Sequence, residues 1–261
     1  VTSLFSAGIL PGCLIGACLM IYCYIYCRIH GEDKEKIRKN YEKLHSRSLF
    51  QVLRSGFWAL LSPVIILGGI YSGIFSPTEA ACISVVHAAL VSLFIYRTIT
   101  IQRLWTLLLE SVQACAPLCA LIALATAFSR ILTLLNAPQA LASLLSQTIS
   151  NRISFLILLN VVLLILGMFI DGAPAILILS PLLMPIAAEF DIDPVHLGVI
   201  MVCNLAVGLA SPPFGLNLFV ASSTNGAPVM EISKKVIPFI LAFLFALILI
   251  TFIPAISLCL V

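Results

Sequence analysis

The stretch ISFLILLNVVLLILGMFI-DGAP-AILILSPLLMPIAA, residues 153–188, carries a single charge, Asp171, in 36 residues. As one α-helix rising about 1.5 Å per residue it would run about 54 Å, whereas the hydrocarbon core of a bilayer is about 30 Å thick. The segment must therefore fold back or break. Asp171-Gly172-Ala173-Pro174 is the place to do so: glycine admits turn conformations, proline lacks an amide donor, and an aspartate side chain bonds nearby amides. The limbs 153–170 and 175–188 have 18 and 14 residues, short for full crossings, so the stretch reads as a re-entrant hairpin. A rival assignment makes 104–150 the fold-back and 153–188 a broken crossing.

The rest of the chain agrees with a bilayer as its solvent. Of 261 residues 61% are hydrophobic and 10% charged, against about 25% charged in an ordinary soluble domain. The expected fold class is an all-α polytopic membrane protein. A net charge of +3, clustered near one loop, does not point to nucleic acid. Nearly all nine cysteines lie in apolar runs without a CxxC pair or metal-ligand spacing, and read as small packing residues. The first run has no basic leader-type preface and is read as a span; the missing initiating methionine reads as a fragment.

Spans are expected at about 4–27, 59–75, 78–96, 104–128 and 236–260. A basic segment, 28–54, holds eight Lys/Arg against four acids, which places it in the cytoplasm by the positive-inside rule. Residues 48–58 read as an interfacial amphipathic helix, with Leu49, Phe50, Leu53 and Phe57 on one side and Gln51, Arg54 and Ser55 on the other. Residues 137–150 read as a shorter interfacial piece. The acidic run Glu189–Asp193 falls outside, and Lys234-Lys235 return to the cytoplasm before the last span. The organisation expected is 1–58 (span, basic loop, interfacial helix), 59–152 (scaffold helices), 153–235 (hairpin and broken helix, the candidate site) and 236–261 (final span).

Three motifs carry chemistry. An ionised Asp171 within hydrocarbon costs several kcal/mol unless a cation, water or helix terminus meets it. Pro174 suits the first turn of a new half-helix whose amides would stabilise the acid or an anionic ligand. The plain alternative is a solvated cap at the outer surface. In the second motif, Gly208 to Asn217, Ser211-Pro212-Pro213 interrupts the run 195–222 and frees carbonyls that protein, water or an ion must satisfy. Ser211 is positioned to cap the following half-helix. Paired broken helices at mid-depth are the sequence pointer to a transporter site, and Na⁺ suits such carbonyls and hydroxyls. The plain alternative is a proline kink in an ordinary span. In the third motif, Ser76, Pro77 and Glu79 have capping-box spacing, which makes Glu79 a structural cap. Gly68, Gly69 and Gly73 are expected to permit close helix approach.

Enzyme readings fare poorly. Gly69-Ile70-Tyr71-Ser72-Gly73 lacks nucleophile-elbow spacing, and no P-loop-type glycine run occurs. His30 and His45 belong to the basic loop, His196 lies near the outer face, and His87 stands alone in a span.

These motifs also resemble a known family. Gly68 to Ala81, Phe169 to Leu177, Asp193 to Met201, Asn204 to Gly208 and Ser211 to Asn217 are similar, in order and over nearly the whole chain, to the large membrane subunit (DctM type) of tripartite ATP-independent periplasmic (TRAP) transporters. The resemblance implies a bacterial inner-membrane permease for Na⁺-driven import of small organic acids, C4-dicarboxylates or sialic-acid-like carboxylates. It implies a periplasmic solute-binding protein and a small membrane subunit as partners, and no cofactor besides the coupling ion. It implies an elevator built from two inverted repeats, of which this chain is the second, C-terminal one. On that basis Asp171, Gly172, Ala173 and Pro174 form the hairpin tip. Asn204, Gly208, Ser211, Pro212, Pro213 and Asn217 belong to the broken helix. Together they hold substrate and one Na⁺, the ion through Asp171, Gly172, Gly208 and Ser211. Two other readings are a truncated, non-transporting half of such a permease and an intramembrane hydrolase.

Overall fold

The computed structural model describes residues 2–31, 35, 38, 41, 49–136, 140, 151–213 and 215–261. Its elements are helices throughout the described residues. Six are long and apolar enough to cross a membrane: Ser3–Ile29, Pro77–Ile95, Ile101–Leu134, Arg152–Phe169, Gly172–Glu189 and Val229–Phe252. The chain is a multi-pass, all-α membrane protein. It divides into two compact units, one mainly of Tyr24–Cys115 and one of Ser3–Cys23 with Ala116–Val261.

In the first unit α2 (Leu49–Tyr71) packs against α3 (Pro77–Leu90). The five-residue connection is built by hydrogen bonding and one left-handed residue. The Gly68 carbonyl accepts from Ser72 N at 3.0 Å and the Gly69 carbonyl from Phe75 N at 3.1 Å. Gly73 has φ of +72°, a conformation that penalises any Cβ. Ser76 then caps α3: its hydroxyl accepts from Glu79 N, while the Glu79 carboxylate accepts from Ser76 N at 2.8 Å. Beyond α3 a single π-type turn, Val91–Ile95, ends the helix.

Two details differ from the sequence reading. Helix α2 runs unbroken through Trp58-Ala59, rather than parting an interfacial helix at 48–58 from a span, because Phe57-Trp58-Ala59-Leu60 contains no helix breaker. Gly68 and Gly73 have no neighbour within 4 Å of a built Cβ, and only Gly69 is crowded, by the Phe75 ring. In this unit the glycines serve the turn, where backbone hydrogen bonds and positive φ are needed.

Helix α4 (Ile101–Leu134) has 34 residues and would extend about 51 Å. It is one helix through 104–128, and the expected interfacial piece at 137–150 lies, Ala140 apart, outside the described residues.

The second unit is organised around α7 (Pro194–Ala210), of whose 17 residues ten are buried. A helix apolar on every side is one that neighbours surround. Those neighbours are α5 (Arg152–Phe169), α6 (Gly172–Glu189), α8 (Leu216–Asn225), α9 (Val229–Phe252) and the short α10 (Ala255–Leu258). Leu156, Leu159 and Leu163 of α5 and Ile186 and Ala187 of α6 share one core with Leu197, Ile200 and Met201 of α7. Ala7, Leu14 and Ile15 of α1 (Thr2–His30) meet Val199 and Cys203 of α7 and Leu247 and Ile250 of α9 in a second.

The segment 152–189 folds back on itself. Phe155, near the start of α5, stacks on Phe190, just past the end of α6, with ring centroids 4.5 Å apart and planes 8° apart. Both limbs have 18 residues, where 18 and 14 were expected. The reason is that Asp171 caps the second limb directly, so Gly172, Ala173 and Pro174 form its first turn instead of a loop. At the other end of the unit, Lys234 and Lys235 lie inside α9, which begins at Val229. Lys235 pairs with Glu231 at 3.1 Å across one turn. That helix stops at Phe252, ahead of Pro254, where a proline withholds the next amide.

The Phe155–Phe190 stack clamps the open end of the fold-back. In a double-mutant cycle of F155L and F190L, followed by reversible unfolding in mixed micelles, the pair should couple by about 0.5–1.5 kcal/mol. Strictly additive losses would show that the limbs are held together without it.

Candidate functional site

Both chain breaks are real, and each is closed by its own residues. At the first, Ile170 and Asp171 are extended (ψ 138° and 148°) between α5 and α6. The Asp171 carboxylate accepts from Gly172 N at 2.8 Å, and its carbonyl accepts from Ala175 N at 3.2 Å. The side chain is exposed, whereas Pro174 and Ala175 are buried. An aspartate in this position satisfies an orphan amide and places negative charge at the positive end of the helix.

At the second break α7 ends at Ala210 with Ser211 as its C-cap. Ser211 N donates to the Gly208 carbonyl at 2.9 Å and Ser211 Oγ to the Val207 carbonyl at 2.8 Å. The Ser211 carbonyl in turn accepts from Gly215 N at 3.0 Å. The serine therefore closes the helix before the break, not the one after it. Gly215 is the N-cap of α8 and has no side chain to offer, because Pro212-Pro213 and the residue after them separate Ser211 from the next helical turn. The Pro212-Pro213 peptide is cis. A Cβ at Gly215 would fall 2.6 Å from the Leu209 carbonyl and 2.7 Å from that of Ser211, so only glycine fits the doubled-back chain. Asn217 lies exposed on the first turn of α8.

The two breaks are neighbours because α5 and α7 touch backbone to backbone. A Cβ on Gly208 would stand 2.4 Å from the Gly167 carbonyl carbon and 2.5 Å from its Cα. A Cβ on Gly167 would meet Leu205 Cα at 3.0 Å. One turn on, a Cβ on Gly172 at the fold-back tip would stand 3.9 Å from Leu205 Cβ. The crossing thus brings the Asp171 tip to the same end of α7 as the Gly208–Ser211 break.

Below the crossing lies a polar cluster in an otherwise apolar core. Asn160 of α5 donates through Nδ2 to the Leu156 carbonyl at 2.6 Å. This fixes its Oδ1 toward Asn204 of α7, whose Nδ2 donates to it at 2.7 Å and to the Ile200 carbonyl at 3.1 Å. Thr251 of α9 donates its hydroxyl to the same Asn160 oxygen at 3.3 Å. Asn204 is fully buried and its Oδ1 has no hydrogen-bond partner among the described residues. A half-open cavity of about 360 Å³ adjoins the cluster, bounded by Asn160, Asn204 and Thr251 and by apolar residues such as Val161 and Leu244. Asp171, Gly208 and Ser211 are not part of its wall.

Of the residues singled out from sequence, Gly172 and Gly208 lie along the shared crossing, Ser211 closes α7, and Asn204 is drawn into the core cluster. Asn160, Gly167 and Thr251 were not foreseen. Asn160 did leave a trace: it is the one polar side chain between Phe155 and Phe169, and amides within apolar helices hydrogen-bond to other helices.

The crossing generates a sharp contrast between two glycines. G208A forces backbone against backbone and should cost about 1–3 kcal/mol, seen as a lowered unfolding midpoint in detergent. G172A meets only an ordinary contact and should be neutral or stabilising by up to about 1 kcal/mol. Equal effects would remove the crossing as the organising contact.

The comparisons with known proteins agree with this architecture. Residues 1–256 match the family model described as tripartite ATP-independent periplasmic transporter, DctM component. The C4-dicarboxylate TRAP transporter large permease protein DctM of Pseudomonas aeruginosa is 42% identical over 260 residues, covering 100% of this chain and 60% of that protein. The isethionate TRAP transporter permease protein DctMQ of Oleidesulfovibrio alaskensis is 38% identical, over 97% of this chain and 39% of its own length. The sialic acid TRAP transporter large permease protein SiaM of Vibrio cholerae is 35% identical, over 98% and 58%. The chain thus spans about 60% of the length of the large permease proteins it matches. Matched from its first residue to residue 256, in a family of transporter components rather than enzymes, the chain belongs to the DctM family of TRAP transporter permeases.

Proposed function

We propose that this chain supplies one half of the transport site of a Na⁺-coupled importer of small organic acids, working in a bacterial inner membrane with a periplasmic solute-binding protein and a small membrane subunit. The observation that carries the reading is the Gly167–Gly208 crossing, which sets two chain breaks, one bearing a carboxylate, at one end of a buried helix. Broken helices of this kind are where transporters hold ions and anionic substrates. The activity is that of longer chains, of which this one spans part.

In this reading the coupling ion is held by the Asp171 carboxylate and by the carbonyls of Gly172, Gly208 and Ser211. Each of the Gly208 and Ser211 carbonyls already accepts one amide, and a carbonyl oxygen has a second lone pair to give. Na⁺ bound between the breaks offsets the negative charge of Asp171 and of an arriving carboxylate. The exposed start of α8, with Asn217 on its first turn, offers amides and a side-chain donor to that carboxylate. Ala173 and Pro174 lie in the first turn of α6 beside the tip, and Pro212 and Pro213, which have no amide to donate, shape the second break. The segment 152–189 acts as the re-entrant hairpin, and an elevator movement of hairpin and broken helix together carries the site across the membrane. C4-dicarboxylates and sialic acid, named for two of the relatives, support small organic acids as the substrate class.

The test separates charge from capping at Asp171. Asparagine caps a helix about as well as aspartate, so D171N should fold and insert normally yet lose Na⁺-dependent uptake in a reconstituted complete permease by at least about tenfold, the equivalent of 1.4 kcal/mol. S211A, which keeps the Ser211 carbonyl but removes the hydroxyl bond to Val207 that holds the break in shape, should also lower that uptake, and replacing Na⁺ with K⁺ should abolish it in the wild type. Undiminished uptake in both variants would sink the ion-site assignment.

A further inference from the structure

The polar cluster continues from Thr251 to a second buried group that the transport reading does not use. His196, two residues into α7 beyond its Pro194 start, is fully buried. Its Nε2 lies 3.2 Å from the Thr251 carbonyl and its Nδ1 2.6 Å from Ser257 Oγ. A carbonyl can only accept, so Nε2 carries the hydrogen in the neutral ring, and Nδ1 must then accept from the Ser257 hydroxyl. That hydroxyl has a second acceptor in reach, the Pro254 carbonyl at 3.0 Å. One hydrogen cannot serve both. The geometry therefore contains two complete hydrogen-bonding arrangements that differ by one proton and one hydroxyl rotation.

We propose that His196 is a proton-binding site, in which Ser257 acts as the rotor that accommodates the proton. A proton from water at the Glu189–Asp193 loop binds Nδ1. The Ser257 O–H turns from Nδ1 to the Pro254 carbonyl, and the new Nδ1–H donates to Ser257 Oγ. One proton and one positive charge are gained, every donor keeps an acceptor, and no heavy atom has to move. A buried imidazolium is ordinarily opposed by lost solvation and by donors without acceptors; here the second penalty is absent.

Burial opposes the added charge most, the Thr251 carbonyl favours it, Arg152 opposes it and Asp193 favours it. Asp193 and Arg152 are the charged groups acting on the ring. Asp193 is exposed and accepts from the backbone amides of Val195 and His196 at 2.8 and 3.2 Å. From α9 and the α10 turn the ring is faced by the Thr251 and Pro254 carbonyls and the Ser257 hydroxyl, none of which titrates. Thr251 bonds both the His196 ring, through its carbonyl, and Asn160, through its hydroxyl. The charge state of His196 thus reaches the Asn160–Asn204 pair one turn from Gly208, a link to transport that rests on the function proposed above.

The test is ¹⁵N-histidine NMR on the complete permease in nanodiscs, with the His196 signal identified by its loss in H196Q. At alkaline pH the signal should be that of the Nε2–H tautomer. On acidification from about pH 8 to about pH 4 it should convert reversibly to a doubly protonated ring, with a midpoint below that of an ordinary imidazole because burial opposes the charge, and S257A should move the midpoint. An Nδ1–H tautomer at alkaline pH, no titration across that range, or an unmoved midpoint in S257A would each overturn the proposal. If H196Q fails to fold, H196N identifies the signal instead. In proteoliposomes, H196Q should flatten the pH profile of uptake. An unchanged profile overturns the link to transport, and it is distinct from failure of the transport reading itself, in which wild type takes up nothing in a Na⁺-dependent way.

Discussion

Everything around the candidate site depends on the backbone contact between Gly167 and Gly208. With no Cβ on either residue, α5 and α7 approach until main chain meets main chain, which side chains of any size would prevent. In a bilayer the hydrophobic effect gives helices little reason to associate, so dispersion at such close crossings, together with interhelical hydrogen bonds, holds them together. The crossing fixes the height of α5 relative to α7. Because Asp171 follows Gly167 by four residues and Ser211 follows Gly208 by three, it also fixes where the two breaks meet.

A broken helix in an apolar medium exposes amides and carbonyls that water does not reach, and each must be satisfied within the protein. The two breaks solve this differently. At the first, one carboxylate caps the amide of Gly172 and the chain re-enters a helix after two extended residues. At the second, Ser211 bonds backward through both its amide and its hydroxyl, and Gly215 folds against it. The result is an acid at one break and doubly usable carbonyls at the other, held by residues whose own hydrogen bonds are already made.

The polar cluster beneath the crossing has a related logic. Asn160, Asn204 and Thr251 come from three helices, and the Asn160 oxygen accepts from both of the others beside an apolar core rich in leucine and isoleucine. Such bonds set rotation and register as well as affinity, because an amide turned away from its partner would be left unpaired in hydrocarbon. His196 extends the same chain to the end of α9, so the start and the middle of α7 are both tied to that helix.

The linear order of residues determined a good deal by itself. The length of the apolar run 153–188 demanded a break, and glycine, proline and aspartate named its place, because helix rise and backbone conformational limits are local properties. The same holds for the capping box at Ser76 and Glu79 and for the interruption at Ser211-Pro212-Pro213. The motifs together were enough to name the family. Tertiary structure alone decided which partners these residues take. Whether Ser211 closes the helix behind it or opens the one ahead depends on how Gly215 doubles back. Gly167 and Asn160 gain their roles only when α7 is laid against α5, and His196 changes from a residue near a loop to a buried one only when α9 and α10 cover it. The contacts of Gly167, Asn160 and His196 join positions 41 to 91 residues apart, and no local preference encodes a distance of that kind; it emerges when apolar faces and small residues are packed together in three dimensions.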